Sequence, residues 1–256
     1  MNERGLVVET LWLRQTRWPR PDRRPVVNEL QLVQWLLDTA ADTKTAVKSL
    51  RKVRISAVSA KVHWLVCDRS GDCATVEYLD GKLVTHHAAG LSAPALTNHP
   101  YGTRAGKSAS RALRGSVRRF DVAKRAAVKR GGRSLAERSE AMLTAVAAGS
   151  YTKWQLRWDP VGMTLRFRVP GASGRRVSRS VSFRKPVRCA PTTGLSLQSR
   201  VAGDVTERLS ALDEVAVTRQ VSRSIARLGL PNPGRIAAKV VQSAKQHRCV
   251  PTAGRR

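Results

Sequence analysis

Cys67 and Cys73 stand on either side of Asp68-Arg69-Ser70-Gly71-Asp72, while Cys189 and Cys249 lie far along the chain. Thiols bind metals, exchange disulfides or attack carbonyl carbon. No two of these have CxxC spacing and no histidine cluster accompanies them, which argues against a zinc site. Cys67 and Cys73 flank a predicted turn and can face one another, but the four are read as buried free thiols. A Cys189–Cys249 bridge would need an oxidising compartment. His86 and His87 are adjacent on a predicted strand, so one ring points to solvent and the other to a core or an edge. The patterns GxSxG, GxxxxGK[ST], GxGxxG and HExxH do not occur. The acidic residues show no helical pairing that would make a general acid and a base. Local motifs therefore assemble no complete active site, and they call for no cofactor and no metal.

The elements that would position any site follow from periodicity. Residues 5–13 are apolar and β-branched and predict a strand at the start of the chain. Residues 17–25 hold three prolines and predict a loop. Asn28, with Gln31 three residues on, caps a helix whose Leu32, Val33, Leu36 and Leu37 share one face. A weaker helix covers 42–52. Strands are predicted at 62–68, 73–79 and 82–87, and a short one at 94–98. Asp80-Gly81 suits a type I′ turn, in which both central residues have positive φ. Ser116 is predicted to cap a helix to about Arg130, with Val117, Phe120, Ala123 and Ala127 inward. Ser134 and Glu137 make a capping box for a helix to about Ala148.

Alternation then marks three strands with inward residues Trp154, Leu156 and Trp158; Met163, Leu165, Phe167 and Val169; and Val177, Val181 and Phe183. It predicts an antiparallel meander with one buried face. Two helices close the chain. One covers 213–228, with Val217, Val221, Ile225 and Leu228 beside a basic stripe of Arg219, Arg223 and Arg227. The other covers 234–245. This order of elements predicts an α+β layered fold.

The net charge is +29, and residues 101–256 carry 33 Lys/Arg against 8 Asp/Glu. Such a balance attracts nucleic acid or anionic membrane, although charge alone reads no base sequence. An arginine-rich solvated surface fits it equally. The tryptophans fall mostly at inward strand positions, which leaves no stacking platform for a single strand. An apolar content of 41% excludes general disorder. No apolar run is long enough to cross a bilayer, and no basic-then-apolar leader opens the chain, so the compartment is unspecified.

Three stretches nevertheless occur in a telling order: MNERGLVVETLWL; HWLVCDRSGDCATVEYLDGKLV followed by PALTNHPY; and TKWQLRWDPVGMTLRFRV. Together they resemble the choloylglycine hydrolase family, which includes penicillin V acylases and bile salt hydrolases. AGDVTERLSALDEVAVTRQVSRSIARLG resembles a C-terminal segment of some linear-amide C–N hydrolases. The resemblance is weak between about 101 and 150. It implies one domain over 1–256, with a strand-rich half at 1–100, helices at 101–150, a β meander at 151–185 and a helical segment at 186–256. The implied fold is part of the four-layer αββα sandwich of N-terminal-nucleophile hydrolases, with antiparallel sheets.

The implied reaction is hydrolysis of an N-acyl amide. An N-terminal cysteine attacks, its own α-amino group acts as base, and water releases the acyl-enzyme. Asn2 of the MNExGL motif and Asn98 of LTN are implied to bind the oxyanion. Arg119, in SVRRF, is similar to an arginine that lies near the nucleophile. Asn98, ahead of His99-Pro100, also suits a turn, and Arg119 also suits a solvated helix face. The implied partners are small N-acyl amides such as penicillin V, conjugated bile acids and N-acyl homoserine lactones, with a homo-oligomer open and no cofactor.

In that family MNExGL is internal, and the cysteine lies upstream with a supporting arginine and aspartate. None of the four cysteines here is near residue 1. The expectation is the back part of an amidase: either its start is misassigned or it is a truncated, decayed copy. In both cases these 256 residues are expected not to turn over substrate. Exposed strand edges are expected to make them poorly soluble alone. The alternative from another class is a basic nucleic-acid-binding protein with Arg219, Arg223 and Arg227 as its footprint.

Overall fold

Apolar, β-branched sequence from Leu6 onward forms β1 (Val7–Trp12), as its composition predicts. In chain order there follow β2 (Val26–Val27), α1 (Gln31–Thr39), α2 (Thr43–Ser49), β3 (Arg54–Ile55), β4 (Val62–Cys67), β5 (Cys73–Leu79), β6 (Lys82–His87), α3 (Arg111–Val128), α4 (Leu135–Ala145) and β7 (Gln155–Asp159). Then come β8 (Thr164–Pro170), β9 (Arg176–Ser182), β10 (Thr193–Gly194), β11 (Gly203–Asp204), β12 (Ser210–Ala211), α5 (Glu214–Arg227) and α6 (Pro233–Lys245). The structure is a computed structural model, and it describes residues 1–56, 60–128, 134–170, 176–183, 193–194, 201–211, 213–227 and 232–245. Two compact units divide it, Met1–Leu165 and Arg166–Arg256.

The first unit is built on an antiparallel sheet in the order β1-β4-β5-β6. Its register sets Val8 opposite Val66, and Trp64 opposite Val76. Successive side chains point to opposite faces. One face therefore gathers Val8, Val62, Trp64, Val66, Val76 and Tyr78 into a core with Leu32 and Leu36 of α1 and Ala46 of α2. Leu32, Leu36 and Trp64 are fully buried; burying each leucine contributes about 1.5–3 kcal/mol. Trp18, Trp64 and Tyr78 pack in tilted and edge-on contacts with centroids 5.5–6.3 Å apart, a favoured aromatic arrangement.

Local chemistry sets the element ends. Asn28 Oδ1 accepts the N–H groups of Leu30 and Gln31 at 2.9 and 2.7 Å, and Gln31 Oε1 accepts the Asn28 N–H at 3.0 Å. That reciprocal pair supplies orphan donors at the start of α1. Asp80 and Gly81 adopt φ of 50° and 76°, the left-handed pair of a type I′ turn between β5 and β6. Ser134 and Glu137 form the full capping box on α4.

Several expectations are corrected. No strand forms at 94–98; those residues run as irregular chain. α3 begins at Arg111 rather than Ser116, because Ser110 Oγ accepts the Leu113 N–H at 3.2 Å and caps it there. Ser116 is buried inside the helix. Cys67 and Cys73 are not free thiols: they are opposed in the β4–β5 register with Cα atoms 4.1 Å apart and form a disulfide. In β7 the phase is inverted at its start, since Trp154 is 62% exposed and Gln155 is buried. Gln155 Nε2 donates to the Leu143 carbonyl, one of the orphan acceptors at the end of α4. Trp12 is also exposed, so the tryptophans are less uniformly inward than predicted.

In the second unit β8, β9 and β11 are neighbours in the order β11-β9-β8, with β9 and β11 parallel. β8 and β9 stand where alternation predicts them. Arg179 shares the inward side of β9 with buried Val181, is itself 1% exposed, and sets its guanidinium 6.0 Å from the Phe167 ring centroid. α5 and α6 pack on each other. Cys189, Cys249 and Leu228 lie outside the described residues.

Candidate functional site

The sheet face opposite the core carries Leu11 of β1, His63 and Leu65 of β4, and Glu77 of β5. Leu11 and Leu65 form the floor of a cavity of about 430 Å³ whose walls are apolar and come from residues 94–98, α3 and α4. Asn98, Arg119 and Arg138 are its strongly polar lining groups. A volume of this size suits a small ligand.

Asn98 and Arg119 meet at this cavity. Arg119 Nη2 donates to Asn98 Oδ1 at 3.0 Å, and Asn98 Nδ2 donates to the Trp12 carbonyl at 3.1 Å. A guanidinium has only donors and a carbonyl only accepts, so both contacts fix the same orientation of the amide. One Nδ2–H remains for another acceptor. Burial, and then the Arg118 charge, lowers Arg119 from its ordinary value; a guanidinium nonetheless stays charged at neutral pH.

Asn2 is not part of this arrangement. Its Nδ2 donates to the carbonyls of Leu37 and Ala40, both at 2.8 Å, and its Oδ1 accepts from the N–H groups of Arg4 and Leu6. Those four bonds use the full capacity of a carboxamide. Asn2 thus ties the entry of β1 to the end of α1. Asn98 meets the opposite end of β1, about 20 Å away at 3.4 Å per strand residue. The two asparagines implied to bind the oxyanion thus lie at opposite ends of β1 and do not meet.

Two features escaped the sequence reading. Trp12 enters through its carbonyl, a group that side-chain patterns cannot flag. His63 and Glu77 are both fully buried, with Nδ1 and Oε1 2.8 Å apart, and Glu77 also accepts the Tyr101 N–H at 3.1 Å. The register that sets Cys67 against Cys73 sets this pair side by side, so the hairpin prediction contained it. His99 lies behind Asn98, hydrogen-bonded to Ser116 Oγ at 2.9 Å and edge-on to Phe120. Burial, and then the His63 charge, lowers its ring from the ordinary histidine value. His86 stacks on Tyr101, while His87 Nε2 meets Asp72 at 2.7 Å, so the adjacent rings do diverge.

Residues 1–101 match the family described as linear amide C–N hydrolases, choloylglycine hydrolase family. Over 112 residues the chain is 33% identical to a penicillin V acylase of Pectobacterium atrosepticum; the match takes in 39% of this chain and 29% of that protein's length. Among solved structures, penicillin V acylase from Agrobacterium tumefaciens is similar with a TM-score of 0.64 and 23% identity, covering 83% of this chain and 76% of the other. A variant of the conjugated bile acid hydrolase from Clostridium perfringens gives 0.51 and 14% identity, over 70% of each chain. The chain therefore shares the fold of these solved structures, α+β with a main sheet of antiparallel strands, as the resemblance implies.

Proposed function

We propose that this chain supplies the acyl-binding and oxyanion-stabilising part of a site that hydrolyses linear amide C–N bonds. We further propose that these 256 residues hydrolyse no amide by themselves. One observation carries the reading: Asn98 and Arg119 hold each other at an apolar cavity on the sheet. An apolar acyl group enters the cavity. The scissile carbonyl lies at its polar end, where the second Nδ2–H of Asn98 donates to the oxyanion and the Arg119 charge stabilises it. Donors placed in advance cost no reorganisation as charge develops, and losing one such donor typically costs about 3–4 kcal/mol.

The attacking thiol has no candidate among the described residues, because Cys67 and Cys73 are bonded to each other. The test uses the chain alone and the chain fused behind the cysteine-bearing segment of a penicillin V acylase. Both are incubated with penicillin V, a glycine-conjugated bile acid and an N-acyl homoserine lactone, and products are resolved by liquid chromatography. Product from the fusion only, cut about 100-fold or more by Asn98→Ala, is the expected result. Turnover by the unfused chain would overturn the second statement. An active fusion indifferent to Asn98→Ala would overturn the first.

A further inference from the structure

α3 has two opposed faces. Arg119, Ala123, Ala126 and Ala127 line the cavity. On the other side stand Arg111, Arg114, Arg118 and Arg125, all exposed. At 3.6 residues per turn these four fall within about 60° of arc and extend over about 21 Å. None has a carboxylate within ion-pair distance among the described residues; the Arg114 guanidinium also donates to the Ala109 carbonyl. Asp121 is the single acidic residue at the edge of the stripe. A row of like charges at this spacing costs stability unless a counter-charge covers it.

We propose that the outer face of α3 is a docking surface for the phosphate backbone of duplex nucleic acid. The occupant follows from charge complementarity. A duplex offers one negative charge per about 1.7 Å of axis with both strands counted, so a stripe of about 21 Å spans several phosphates, and each arginine that neutralises one releases condensed counterions. An anionic membrane fits less well. Interfacial helices need a broad apolar face beside the cations, and here the apolar side of α3 is spent on the cavity, while the stripe is flanked by half-buried Val122 and by one large exposed apolar side chain, Val128, at the helix end. The contact is made to phosphate, so it is not sequence-specific. This inference does not depend on amide hydrolysis, since it uses the opposite side of the helix.

Fluorescence anisotropy with the full chain and a labelled 20-base-pair duplex, titrated between 50 and 200 mM NaCl, tests it. Four phosphate contacts give a slope of log affinity against log salt of about −3.6, and Arg111→Ala with Arg118→Ala halves that slope. Arg219→Ala with Arg223→Ala leaves it unchanged. Alanine is a strong helix former, so the α3 variants keep their fold, which circular dichroism verifies. Absence of salt-sensitive duplex binding overturns the proposal, as does a slope that responds to the α5 variant and not to the α3 variant. Tighter binding to phosphatidylserine vesicles than to duplex, lost in the same α3 variant, overturns it in favour of a lipid surface.

Discussion

Asn98 and Asn2 are the same residue type in two opposite situations. Asn98 spends one N–H on Trp12 and its oxygen on Arg119, which keeps a donor in hand; Asn2 spends everything on backbone. Asn2→Ala leaves the Leu37 and Ala40 carbonyls without that partner at the end of α1. It is expected to lower stability by about 2 kcal/mol in urea unfolding followed by tryptophan fluorescence, without changing ligand binding at the cavity. Burial keeps the His99 ring neutral within Thr97, Ser116 and Phe120, with the Arg119 charge nearby and Glu77 and Asp121 opposing. Its folded value lies below the ordinary 6.5, so the unfolded chain takes up the proton first as pH falls. Stability from this group is complete above about pH 6.5 and is lost as pH drops from there towards the folded value. Urea midpoints measured from pH 7.5 to 5 should fall, and His99→Gln should remove that part of the fall.

At the scale of elements, what could be read from sequence was what short-range chemistry decides. Asn28 with Gln31, Asp80 with Gly81 and Ser134 with Glu137 each form the predicted contact, because partners three residues apart or fewer meet whatever surrounds them. Ser116 misled for the opposite reason. A serine before an amphipathic run reads as a cap, yet Ser110 takes that role and Ser116 turns inward to His99, a partner seventeen residues away. Period-2 alternation located β7 but not its buried side. Trp154 and Gln155 differ in which can reach the end of α4, and hydropathy does not encode that. Cys67 and Cys73 can face each other across the predicted turn, yet the free-thiol reading fails because the β4–β5 register brings the sulfurs together, which spacing alone does not encode. α4 lines the cavity through Leu135 and Met142, so its cap bears on the site. Ser134→Ala should cost about 1 kcal/mol and raise amide exchange in the first turn of α4, with little change in β4 or β5.

At the scale of the whole chain, charge dominates. With 47 Lys/Arg against 18 Asp/Glu, self-repulsion works against the compact state, and added salt screens it over a Debye length of about 10 Å at 0.1 M. The thermal midpoint is therefore expected to rise between 20 and 200 mM NaCl in a calorimetric scan; a midpoint that falls would show that local ion pairs outweigh the net repulsion. The fold class was legible because antiparallel hairpins declare themselves locally. The pairing of Asn98 with Trp12 was not, since it joins positions eighty-six residues apart. That contact also decides where the sequence is free to drift. Asn98 engages position 12 through the main chain, and the indole itself stands 63% in solvent. Nearly any amino acid can occupy position 12 without disturbing its carbonyl, whereas position 98 admits no replacement that both donates and accepts from the same short planar group.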